Sequence, residues 1–162
     1  MLRIAVILVC LTLFVSCTDN LAYSRFQSTS NGTWDKADAK EFTFSDTDTL
    51  QQYNMFITLR NDGTYPYSNL FLIAEMTKPD GTSERDTLEY EMADNEGKWL
   101  GAGYGSVKEN KLWYRENIVF PDTGVYTVIV SHAMRKNGSV EGIIELPGVL
   151  DVGLQIEKNS KD

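Results

Sequence analysis

The residues able to do chemistry are few and scattered. One histidine, His132, and two cysteines, Cys10 and Cys17, occur in 162 residues. That nearly excludes a His/Cys metal centre and a Cys–His nucleophile pair. His132 stands alone at the end of an apolar run, with no acid or nucleophile spaced to work with it, and reads as a structural or surface imidazole. Asp46, Asp48, Asp62, Asp94 and Glu96 do not complete the D-x-D-x-D-G loop and distal glutamate of a calcium site, and read as solvated turns. Gly101-Ala-Gly-Tyr-Gly105 lacks the lysine of a P-loop and the βαβ setting of a dinucleotide site. The G-x-S-x-G nucleophile elbow is absent. No catalytic residue, metal, cofactor or small-molecule substrate is expected. The remaining resource is aromatic. Tyr65, Tyr67 and Trp99 fall in expected loops, and Arg135 follows an expected strand. Loop aromatics with arginine are the side chains of binding hot spots, so these four are candidate partner-binding residues. Sugar stacking on Trp99 or Tyr67 is an equal alternative, and burial in clusters beneath loops is the commoner fate of such rings.

Composition narrows the partners. Fifteen Lys and Arg against 23 Asp and Glu give a net charge of −8. With no basic stripe to displace counterions, nucleic acid is excluded as a partner. The first residues, MLRIAVILVCLTLFVSC, carry Arg3 before an apolar stretch from Ile4 to Val15. That stretch is too short to span a bilayer, which needs about 20 residues, and fits a secretory leader. Phe14-Val15-Ser16-Cys17 has the form of a bacterial lipobox, so residues 1–16 are expected to be removed and Cys17 acylated. Membrane attachment through lipid on Cys17 follows. Loss of Cys10 with the leader leaves the folded body without a disulfide.

Four segments are expected: the leader at 1–16, a lipidated tether at 17–40, a folded body at 41–158, and a tail at 159–162. The tether assignment rests on the Ser, Thr, Asn and Asp between Thr18 and Lys40, although Ala22 to Phe26 has the makings of a short strand and Trp34 needs a contact somewhere. From Glu41 the apolar period is two. Phe42 to Phe44, Tyr53 to Leu59, Leu70 to Met76, Thr87 to Met92, Leu112 to Phe120, Val125 to Val130 and Val149 to Ile156 read as strands. The near-continuous apolar run LFLIAEM predicts a strand covered on both faces. Trp113 and Tyr114 are neighbours, so one must face away from the core. Turns are expected at Asn61-Asp-Gly63, Lys78-Pro-Asp-Gly81, Pro121-Asp-Thr-Gly124 and Lys136-Asn-Gly138. The list describes an all-β, antiparallel β-sandwich, immunoglobulin-like or jelly-roll-like. Asp122-x-Gly124-x-Tyr126 has the spacing of a tyrosine corner, or of a common tight turn before a strand.

Several strings are more specific. Tyr65-Pro-Tyr-Ser-Asn-Leu-Phe-Leu72, Asp86-Thr-Leu-Glu-Tyr90, Asn110-Lys-Leu-Trp-Tyr-Arg-Glu116, and Ala133-Met-Arg135 with Asp151-Val-Gly153 resemble the gliding-motility lipoprotein GldH family of Bacteroidetes. The likeness runs from Cys17 to about Glu157. The resemblance implies an outer-membrane lipoprotein needed for surface gliding and linked to the type IX secretion and gliding machinery, whose envelope proteins would be its partners. It implies no catalytic residue; only Cys17 maps to a functional position. The residues after Cys17 lack a strong acidic run, so the periplasmic leaflet is the expected address. An envelope-glycan-binding module of the same sandwich class is the alternative to a protein-docking role.

Overall fold

The computed structural model describes residues 20–45 and 47–159, so the leader, Cys17, Asp46 and all but the first residue of the expected tail lie outside the described residues. Ten strands follow in chain order: β1 (Leu21–Ser28), β2 (Thr33–Asp35), β3 (Lys40–Phe44), β4 (Gln52–Asn61), β5 (Asn69–Thr77), β6 (Ser83–Glu91), β7 (Lys108–Val119), β8 (Tyr126–His132), β9 (Glu145–Pro147) and β10 (Val149–Lys158).

Their pairing is nested. β5 pairs with β6, β4 with β7, β3 with β8, β2 with β9 and β1 with β10, all antiparallel. The chain is one long double ribbon whose tip is the β5–β6 turn. There Gly81 adopts φ +84°, the Gly81 N–H donates to the Lys78 carbonyl at 2.9 Å, and Asp80 Oδ1 accepts from the Thr82 N–H at 2.8 Å. The ribbon rolls so that β10 also meets β4 and β8 also meets β5. The result is two four-stranded sheets, β1-β10-β4-β7 and β3-β8-β5-β6. This is the double-sheet jelly roll, and it decides between the two sandwiches expected.

The core lies between the sheets and is built by alternation. On β5, Leu70, Leu72, Ala74 and Met76 are buried while Phe71, Ile73 and Glu75 sit half-buried on the outer side. The LFLIAEM run is therefore covered fully on one face only. β8 supplies Tyr126, Val128 and Val130, and β4 supplies Tyr53, Met55, Ile57 and Leu59. Of the adjacent aromatics, Tyr114 turns inward and Trp113 is 54% exposed. The tyrosine corner is present: the buried Tyr126 hydroxyl donates to the Asp122 carbonyl and accepts from the Asp122 N–H, both at 3.1 Å.

The folded body begins at Leu21, not Glu41. All of β1 pairs with β10, and residues 33–35 form β2 with Trp34 fully buried. The polar character of β1 misled the sequence reading. It is an edge strand, and Ser24, Arg25 and Ser28 are exposed, so its alternation is faint.

Both seams where sheet edges face each other are closed by side chains. Between β1 and β3, Gln27 Nε2 donates to the Glu41 carbonyl, and Lys40 Nζ donates to the Ser28 carbonyl at 2.9 Å. Between β6 and β7, Arg115 bridges Glu84 and Asp86 at 2.6 and 2.7 Å, and the Tyr90 hydroxyl caps the Trp113 carbonyl at 2.5 Å. Hydrogen bonds from Lys78 and Arg115 hold the Glu84 carboxyl down to about 2. Burial pushes the Tyr90 and Tyr114 hydroxyls up to about 12.

Candidate functional site

Antiparallel register sorts the loops into two ends. The first and last described residues share one end, where the Lys158 N–H donates to the Asn20 carbonyl at 2.7 Å. β4 starts at that end opposite Lys158 and runs to Asn61 opposite Val149, so Asn61 and the loop after it lie at the other end. The same reasoning takes the loop after β6 and the loop after β8 there. Tyr65, Tyr67, Trp99 and Arg135 thus all belong to the end remote from the termini.

Three of the four meet. Tyr65 is the hub: it is 3% exposed and its hydroxyl donates to the Asn69 carbonyl at 2.7 Å. Burial, with a smaller contribution from Tyr67, raises its pKa well above the ordinary tyrosine value. The Tyr67 ring lies 5.9 Å away, edge-on, and the Trp99 ring 6.1 Å away. Tyr65 therefore works as core, and only Tyr67 and Trp99 reach the surface. The loop can enter this deeply because Gly148, at φ +79°, presses its backbone against Tyr65. A Cβ on Gly148 would lie 2.2 Å from the Tyr65 nitrogen.

Arg135 stands apart from that cluster. It is exposed and borders a shallow groove of about 340 Å³ on the outer side of the second sheet, with Phe71, Ile73, Thr87 and Ala133. A larger cleft of about 610 Å³ opens at the same end, between Pro66 and Tyr67 on one side and the 136–147 segment on the other. Ile143, Ile144 and Pro147 give it apolar walls, and Lys136, Glu141 and Glu145 place charge around it. Ile144 is 68% exposed. Sequence reasoning passed over these residues. The signal available was Ile143-Ile144: two adjacent apolar side chains cannot both face one side of an extended segment.

The Gly101–Gly105 stretch is a tight loop, closed where Ala102 and Glu109 exchange backbone hydrogen bonds at 2.7 and 2.8 Å. Asp94 organises its own turn, its Oδ1 accepting from the Glu96 and Lys98 N–H groups at 2.9 Å. Among the described residues, no group of three or more His, Cys, Asp or Glu side chains is placed to hold a metal ion.

His132 is structural in setting. It is 1% exposed, with the Trp34 ring edge-on at 5.4 Å, and neither ring nitrogen has a well-formed hydrogen bond. Burial lowers its pKa below the ordinary 6.5, against weaker upward pulls from the Ile144 and Trp34 backbone. The unfolded chain therefore takes up a proton at this side chain before the folded one does. Stability should fall as pH drops below about 6.5, ahead of the carboxylates, with a slope of at most about 1.4 kcal/mol per pH unit. Urea denaturation between pH 7.5 and 5.5 tests this: His132→Phe should flatten that limb, and an unchanged slope would refute the assignment.

Comparison with known proteins is consistent along the chain. The family model described as GldH lipoprotein matches residues 21–156, from the first strand into the last. A gliding motility lipoprotein GldH homolog of Christiangramia forsetii is 47% identical over 147 residues, covering 91% of this chain and 90% of that one. The gliding motility lipoprotein GldH of Flavobacterium johnsoniae is 35% identical over 153 residues, 94% of each chain. Among solved structures, a carbohydrate-binding module specific for non-crystalline cellulose matches at TM-score 0.40 and 8% identity, over 83% of this chain and 70% of that one. The VP2 subviral particle of infectious bursal disease virus matches at 0.35 and 14%, over 85% of this chain and 33% of that one. Those two scores add nothing to the topology described above. The sequence relatives do: matched from β1 to β10 and along nine-tenths of its length, this chain belongs to the GldH family of gliding-motility lipoproteins.

Proposed function

We propose that the protein is a lipid-moored docking module of the bacterial envelope, acting by binding and not by turning over a substrate. In this reading residues 1–16 are removed, Cys17 carries the lipid, and the domain hangs from the outer membrane into the periplasm. There it serves gliding motility and the type IX secretion apparatus by holding another envelope protein.

One observation carries the reading: the nested ribbon puts the start of β1, shortly after Cys17 in the sequence, and the open cleft at opposite ends. Leu21 lies four positions after Cys17, a reach of at most about 14 Å. β4, at ten residues, then adds roughly 34 Å before the loop that bears Tyr67. The cleft between Tyr67 and Ile144 faces away from the leaflet, where a neighbouring protein can reach it. A photoreactive side chain at Ile144 should therefore crosslink to a gliding or secretion protein in intact cells. The same group at Leu50, 88% exposed in the turn before β4, should not. Equal or absent crosslinking at the two positions would overturn the proposal.

A further inference from the structure

Among the described residues β9 pairs with β2 and with no other strand; on its other side the chain is held just before it, where the Ile143 N–H donates to the Met134 carbonyl at 2.8 Å, and is open from Glu145 onward. The hydrogen bonds flanking the pair define which way its backbone groups point. The Lys36 N–H donates to the Ile144 carbonyl, and the Gly148 N–H to the Gly32 carbonyl, each at 2.8 Å. In an antiparallel ladder, hydrogen-bonded pairs alternate with pairs whose backbone groups point outward. The register is Thr33 to Pro147, Trp34 to Leu146 and Asp35 to Glu145. Leu146 is therefore the residue bonded to β2. The Glu145 N–H and carbonyl, and the Pro147 carbonyl, point the other way.

That way lies the cleft. Its lining includes Ile144, Glu145 and Pro147 but no residue of β2, so it runs along the unpaired side of β9. Side-chain caps and bridges stitch the edges of the two large sheets along their seams, as described above. β9 carries no such cap, and its open edge borders a space of about 610 Å³. Exposed backbone of this kind is a template for an added strand.

The geometry points to β9 as a strand-addition site that takes an extended, basic and apolar segment of a partner protein. This rests on the reading of the cleft as the docking surface and specifies how docking occurs. Main-chain bonds would run to Glu145 and Pro147. Alternate side chains of the segment would sit on Tyr67 and Ile144, and its cations would face Glu141 and Glu145. The basic character follows from those two carboxylates outnumbering Lys136 at the cleft, on a chain of net charge −8.

The test uses the full lipidated protein in detergent and an end-blocked octapeptide of alternating lysine and valine. Binding should be saturable and should weaken at least tenfold when the peptide amides are N-methylated. Glu145→Pro deletes the one outward N–H and leaves the bonds to β2 in place. It should weaken binding at least tenfold with the melting temperature retained, whereas Leu50→Arg should leave binding unchanged. If Glu145→Pro does not fold, Ile144→Arg on the cleft wall should give a comparable loss. Absence of peptide binding, or binding indifferent to N-methylation, would overturn strand addition. If crosslinking from Ile144 still captures an envelope protein in that event, distal docking stands and only its mode is wrong. If both fail, both readings fall.

Discussion

Gly148→Ala is expected to destabilise the fold by about 3 kcal/mol or more, a large share of the roughly 5–15 kcal/mol that holds a domain folded. Two penalties combine. A φ of +79° costs an L-residue about 1–2 kcal/mol. The new methyl would also meet backbone: the Tyr65 nitrogen at 2.2 Å, the Tyr65 Cα at 2.5 Å and the Thr64 carbonyl carbon at 2.8 Å. Backbone held between β4 and β5 cannot swing aside as a flexible side chain would, and overpacking of that kind adds about 1–3 kcal/mol. Two other glycines separate the contributions. Gly138 has φ +77° with nothing near its Cβ position, so alanine there should cost only the conformational part. Gly63 has open space and no positive φ, and alanine should be near neutral. Urea midpoints should rank Gly63→Ala above Gly138→Ala, and Gly138→Ala above Gly148→Ala. Equal midpoints for the last two would refute the steric account.

Cys17→Ala is expected to abolish lipid attachment completely. Each buried methylene contributes about 0.8 kcal/mol, so one chain binds marginally and reversibly, whereas two anchor in effect permanently. The measurement is metabolic labelling with palmitate, together with the mass of the mature N-terminus. Wild type should carry the label, and the variant none. The far-ultraviolet spectrum of the folded domain should not change, because residue 17 precedes β1. A labelled variant, or an unlabelled wild type free in solution, would remove the anchor from the proposed role.

What could be read from the residues depended on how strongly burial marks them. Strands with a fully buried inner row announced themselves. Phe42 and Phe44 on β3 alternate with polar Glu41 and Thr43, and Val128 and Val130 on β8 stand between Thr127, Ile129 and Ser131 on the outer face. β1 and β9 did not. β1 is an edge with few apolar residues, and β9 buries Leu146 alone. Both depend on pairing with distant strands, which no local pattern records. Tyr126 was legible because a tyrosine corner is local, spanning five residues. Jelly roll over immunoglobulin-like sandwich was not, since the two differ only in which distant strands pair. The loop aromatics show the same division. Their types drew attention to one end of the molecule, but the burial of Tyr65 follows from Gly148, 83 positions later in the chain.

The nested pairing also bears on the order of events as the chain emerges from synthesis. β1 emerges early, yet its sheet partner is β10, the last strand to emerge. Only the tip ribbon of β5 and β6 is made of immediate neighbours, and each pair outward from it closes a larger loop, which slows its formation. β1 therefore waits, unsheeted, until the last strand has been made. In the proposed reading, acyl transfer and leader removal have that whole interval in which to act, before the first strand is drawn down onto the last.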